Sequence, residues 1–153
     1  MRFPRGSRAA VVAALVGLAL PAGALAHVEL VSPAPRSPGA KKFGPCGGDP
    51  AGRRVTVRAG ARLVAAWKET IDHPGEHLLR LSEGPGRRFV TLAWVKDLPI
   101  PAGASERAYR ATVRLPRRAA RAGALQLIQV MTDRTPPTLY FSCADLRILP
   151  PAA

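Results

Sequence analysis

Beyond residue 26 the chain never sustains a helical period for ten residues. Its apolar and β-branched residues come instead in short runs, each stopped by proline or glycine. The runs are His27–Val31, Arg54–Arg58, Arg62–Trp67, His77–Leu81, Phe89–Val95, Ala108–Leu115, Leu125–Met131 and Leu139–Ile148. Between them stand Pro33, Pro35 and Pro38, Pro74-Gly75, Gly84-Pro-Gly86, Pro99 to Gly103, Pro116 and Pro136-Pro137. Punctuation this dense excludes a helical bundle and leaves no room for βαβ crossovers, so the expected class is all-β. The expected architecture is an immunoglobulin-like or fibronectin-like antiparallel β-sandwich of about 7–8 strands. Ala119 to Ala124 is expected to form a helical turn at most.

The order Cys46, Trp67, Cys143 invites comparison with immunoglobulin domains, but Cys46 lies in a Gly-Pro loop rather than within a strand. Membership of that family is therefore not expected, only its general architecture. Ser32 to Arg53, rich in proline, glycine and lysine, reads as one long surface loop tied down at Cys46.

The first 26 residues read as an address. Arg2, Arg5 and Arg8 precede an apolar run from Ala9 to Leu20, Pro21 breaks it, and Ala24-Leu-Ala26 offers the small-x-small pattern of a signal-peptidase site. The run is too short for the ~20 residues needed to span a bilayer, and no later segment could span one. Two segments follow from this reading: 1–26, a cleaved signal peptide, and 27–153, a single domain. The expected location is secreted, periplasmic or in the cell envelope. That compartment is oxidising, so Cys46 and Cys143, the only cysteines, can pair there.

Cleavage after Ala26 would make His27 the first residue, placing a free α-amine and an imidazole on one residue. Amine and ring Nδ1 together can chelate one metal, and a second histidine would complete three nitrogens, a histidine brace. Such ligation selects Cu(II). The chain has only two other histidines, His73 and His77. His73, in the loop Thr70-Ile-Asp-His-Pro-Gly75, is the leading partner because a Pro-Gly turn would fix the backbone and leave the ring projecting. His77, opening the next strand, is the alternative.

At this point a family resemblance emerges. His27 after Ala-Leu-Ala, Leu30-Val-Ser-Pro33, Gly44-Pro-Cys-Gly-Gly48, Trp67 to Gly75 and Tyr140-Phe-Ser-Cys-Ala-Asp145 resemble bacterial secreted proteins described as polysaccharide-monooxygenase-like. They are also similar to the fungal copper-acquisition relatives of lytic polysaccharide monooxygenases. The resemblance implies a small β-sandwich, one copper ion held by His27 and His73, and a Cys46–Cys143 bridge. It also implies an axial neighbour, Tyr or Phe in the oxidative enzymes and Asp in the copper-acquisition relatives.

Strand alternation puts Phe141, Cys143 and Asp145 on one face and Tyr140, Ser142 and Ala144 on the other. Asp145 is the candidate third metal ligand, with Tyr140 an alternative. An anionic oxygen there would stabilise Cu(II) and favour binding over catalysis. Asp72 and Gln129 are candidates for outer contacts to the metal site, Asp72 by accepting the distal N–H of His73. No residue is assigned as catalytic.

Other chemistries lack support. No Gly-x-Ser-x-Gly elbow supports a serine hydrolase, and the acids are scattered among loops rather than paired for glycoside hydrolysis. The chain carries a formal net charge of +13. The leader holds three arginines and no acid, so 20 basic face 10 acidic residues beyond it. Dispersed arginine pairs at Arg53-Arg54, Arg87-Arg88 and Arg117-Arg118, on an exported chain, point away from nucleic acid and toward a polysaccharide or anionic envelope polymer. Trp67 and Trp94 sit in strand runs and are expected in the core. The leading expectation is a monomeric, secreted copper-binding protein. An active polysaccharide monooxygenase oxidising a glycan, and a metal-free structural or glycan-binding sandwich, are the alternatives.

Overall fold

The computed structural model describes residues 27–152; the expected leader and its cleavage point lie outside them. Eight strands follow in order: β1 (Val28–Ser32), β2 (Val55–Arg58), β3 (Arg62–Glu69), β4 (Gly75–Ser82), β5 (Val90–Lys96), β6 (Arg107–Arg114), β7 (Ala120–Met131) and β8 (Thr138–Leu149). They form a three-stranded sheet in the order β1-β3-β6 and a five-stranded sheet in the order β2-β8-β7-β4-β5.

Within the sheets, the pairings are antiparallel except where β2 lies parallel to β8, from Val55 beside Leu146 to Arg58 beside Leu149. That parallel pair departs from the all-antiparallel expectation. It arises because the long loop after β1 carries the chain along β8 before β2 begins. β7 also departs, starting at Ala120 where only a helical turn was expected. Ala and Arg favour helix locally, but Ala120 and Gly123 pair with Ile148 and Leu146, and the register shift between them absorbs the irregularity.

Period-two alternation assembles the core. Trp67, Leu79, Leu81, Val113, Leu125, Leu127 and Leu146 fill the space between the sheets. Trp67 is buried there as expected, with its ring stacked on Tyr109 at 5.4 Å between centroids. Trp94 is not in the core. β5 is an edge strand, and the indole faces outward at 71% exposure.

The loop from Pro33 to Arg54 closes one edge of the sandwich. Ala40 N–H donates to the Val28 carbonyl on β1, Lys41 and Phe141 exchange backbone hydrogen bonds, and Arg36 N–H donates to the Cys143 carbonyl on β8. Covalent closure comes from the Cys46–Cys143 disulfide, across 97 residues of sequence. The loop thus takes the place that β2 occupies farther along β8, and it fixes β1 to β8 where β1 begins. Among the described residues, no helix is long and apolar enough to cross a membrane.

Candidate metal centre

Three chain segments meet at one end of the sandwich: the start of β1, the β3–β4 turn and the β7–β8 turn. His27 precedes β1 and is pinned by its carbonyl, which accepts the Thr70 N–H at 3.1 Å. His73 lies in the β3–β4 turn, whose Pro74 carbonyl accepts both the backbone N–H and the hydroxyl of Thr132. Gly75 is needed at this junction. A Cβ there would stand 1.9 Å from the Val130 carbonyl oxygen, so only glycine lets β4 approach β7 this closely.

These constraints bring the His27 and His73 rings together, 5.2 Å between centroids and 13° from parallel. His73 Nδ1 lies 3.4 Å from Asp133 Oδ2, and His73 Nε2 is buried with no hydrogen-bond partner. The ring of Tyr140 also stacks on His27, at 4.2 Å between centroids, with its Oη 3.4 Å from His27 Nε2. Lys42 Nζ stands 5.4 Å from the Tyr140 ring centroid.

The remaining candidates lie elsewhere or are otherwise engaged. Asp145 is buried on the opposite face of β8 from Tyr140, beneath the loop. Arg36 Nη2 donates to its Oδ1 at 2.7 Å and Arg36 Nε to its Oδ2 at 3.0 Å, while Gly52 N–H donates to Oδ2 at 2.6 Å. Its partner is thus a loop arginine distant in sequence. Asp72 is exposed, and the carboxylate facing His73 Nδ1 belongs to Asp133, across the end of the sandwich. Asp133 and Arg36 left no local trace in the sequence, because each meets its partner only through the fold.

His77 and Gln129 belong to a separate buried network. They face one another across β4 and β7, in the same cross-strand row as Tyr140. Gln129 Nε2 donates to Glu69 Oε1 at 2.7 Å. The Tyr109 hydroxyl lies 2.7 Å from Asp97 Oδ1 and 3.2 Å from Glu69 Oε2. A phenol has one proton to give, and the shorter contact takes it. The contact to Glu69 then calls for a proton on that carboxyl, which burial, reinforced by the neighbouring Asp97, pushes up to about 8. Burial also lowers the pKa of His77 against the opposing pull of Asp97, and it raises that of Tyr109.

No protein-family model matches the chain, and no curated protein matches its sequence. Among solved structures, the chain is similar to a cellulose-active polysaccharide monooxygenase from M. thermophila, with a TM-score of 0.51 and 12% identity over 71% of this chain and 59% of that one. The fold is polysaccharide-monooxygenase-like. A cellulose-active lytic polysaccharide monooxygenase in complex with copper aligns at a TM-score of 0.48 and 19% identity, over 62% of this chain and 53% of its own. A lytic polysaccharide monooxygenase from Streptomyces lividans aligns at 0.47 and 14%, over 62% and 59%. The chain therefore spans between half and two thirds of the length of these proteins. At these identities the likeness is one of fold alone.

Proposed function

We propose that this chain is an exported copper-binding protein whose ligands are the imidazoles of His27 and His73 and the α-amine that cleavage after Ala26 would free. The observation that carries this reading is the convergence of the two rings, 5.2 Å apart, from the start of β1 and the β3–β4 turn. The donor set fits: His73 Nε2 is a buried ring nitrogen with no hydrogen-bond partner, and Asp133 lies beside the opposite nitrogen. Two imidazoles and an amine favour Cu(II) among divalent ions. The disulfide is consistent with an extracellular or envelope setting. Asp145 is left out of the ligand set because Arg36 and Gly52 already engage both of its oxygens.

The test is a Cu(II) titration of the purified mature protein, its first residue fixed by mass spectrometry. One equivalent of tightly bound copper with a nitrogen-rich axial EPR spectrum is expected, and His73→Ala should weaken binding at least a hundredfold. A mature chain beginning anywhere but His27, or unchanged affinity in His73→Ala, would overturn the reading.

A second reading, oxidation of a glycan, is favoured by one contact: an aromatic residue, Tyr140, packs against His27 where an anionic ligand had been considered. Bound copper would supply one-electron redox chemistry. Tyr140 would wall one side of His27, and the dispersed arginines would attract an anionic polymer. Copper-loaded protein given ascorbate and peroxide should then release oxidised oligosaccharides from chitin, cellulose or an acidic glycan. Silence on all three leaves copper binding without turnover.

A further inference from the structure

The copper reading makes no use of a fully buried polar cluster among the described residues. We infer that Glu69, His77 and Asp97 form a second, structural metal site, distinct from the His27–His73 pair, that takes one divalent transition ion, zinc foremost.

Geometry is the first ground. One donor atom from each of the three residues lies within 4.8 Å of the other two, and His77 Nε2 is 3.8 Å from Asp97 Oδ2. Around a tetrahedral zinc, bonds of ~2.0–2.1 Å put neighbouring donors roughly 3.4 Å apart, so the His77–Asp97 pair needs to contract by only a few tenths of an ångström. Zinc accepts this mixture of imidazole and carboxylate donors.

Charge is the second. Glu69 and His77 are fully buried, and the Asp97 side chain is 1% exposed. Among the described residues no lysine or arginine pairs with either carboxylate; His77 is the only basic group beside Asp97. An ion would displace the proton that Glu69 otherwise holds, and two carboxylates and a neutral imidazole around a dication make a group of zero net charge. That removes the penalty of enclosing two acids together in an apolar core.

The third ground is the histidine. Both His77 ring nitrogens are buried and neither has a hydrogen-bond partner, although Asp97 stands just beyond hydrogen-bond range of Nε2. A buried imidazole with both nitrogens unsatisfied is uncommon, and a metal satisfies one of them. The surroundings are already arranged to orient ligands. The Gln129 amide donates to Glu69 Oε1 and the Tyr109 hydroxyl to Asp97 Oδ1, leaving other oxygen lone pairs for an ion.

The position gives the site a purpose. Glu69 ends β3 in the three-stranded sheet, His77 lies in β4 of the five-stranded sheet, and Asp97 follows β5. An ion here would link the two sheets at the end of the core nearest His27. Loading is expected during folding, before the sheets close.

The experiment uses the mature, disulfide-intact chain carrying His73→Ala, so that the copper pair is disabled. The protein is unfolded with chelator, refolded with Zn2+ or Co2+, dialysed and assayed by native mass spectrometry. One zinc per chain is expected, with a visible d–d absorption band in the cobalt form. Zinc should also raise Tm by roughly 5–10 °C. Glu69→Gln and Asp97→Asn, which keep the packing, should each lose the bound ion and the Tm response. His77→Gln should do the same if it folds. A refolded chain that holds no ion, or Glu69→Gln and Asp97→Asn chains that bind as well as their parent, would overturn the inference and leave the cluster a hydrogen-bonded network only. Loss of copper binding in wild type bears on the first site alone and leaves this test intact.

Discussion

The imidazole of His27 lies against the phenol of Tyr140, 19° from parallel, with Tyr140 Oη 3.4 Å from His27 Nε2. The ring and the hydroxyl can be separated by substitution. Tyr140→Phe keeps the stack and should leave Cu(II) affinity within about threefold while altering the EPR spectrum through loss of the hydroxyl. Tyr140→Ala removes a buried aromatic and should cost about 3–5 kcal/mol in denaturant unfolding, with a clear loss of copper affinity.

Asp145 is predicted to matter for folding and not for copper. Asp145→Ala leaves the Arg36 guanidinium without its buried partner and should destabilise the protein by about 3 kcal/mol, read from the urea midpoint. Cu(II) affinity measured well below that midpoint should stay within about twofold of wild type. A hundredfold loss would return Asp145 to the ligand set.

Gly75 couples the His73 turn to the sheet. Gly75→Ala forces its methyl into the Val130 carbonyl and must push β4 away from β7. The expected cost is about 2–3 kcal/mol, accompanied by at least a tenfold weakening of copper binding as the turn shifts. Val130→Ala, which retains that carbonyl, should leave copper affinity unchanged.

Glu69 should give the metal-free protein an unusual pH response. Its folded pKa is raised to about 8, above the unfolded value near 4.5, so the folded state holds a proton that the unfolded state releases across that window. Its contribution to stability is therefore fully present below about 4.5 and falls as pH rises toward 8. His77, with a lowered pKa, works in the other direction, losing stability as pH falls below 6.5. Thermal melts between pH 7.5 and 8.5, above the range in which unfolded His77 takes up a proton, isolate the Glu69 effect: Tm should decline in wild type and stay nearly level in Glu69→Gln.

Local pattern revealed the strands and little of their environment. Runs bounded by proline and glycine located all eight elements because period-two alternation is a property of each strand alone. Trp94 was misread because its strand lies at a sheet edge, and edge position depends on the order of strands rather than on any run of residues. The five residues of β7 before Leu125, Ala120 to Ala124, read as unfit for strand until β8 supplied their partner. His27 and His73 were conspicuous as two of only three histidines, whereas Asp133, Arg36 and Asp97 were ordinary charged residues in ordinary turns. Their meaning comes from partners 60, 109 and 20 residues away.

The loop closure described above carries a consequence for biogenesis. A thiol-reduced chain would keep the backbone contacts from Ala40 to β1 and from Lys41 to β8 but lose their covalent clasp, so the leading strand could fray from its neighbour. Because His27 rides on that strand and Tyr140 on the neighbour, oxidative maturation and readiness for a cargo ion would be completed by the same bond.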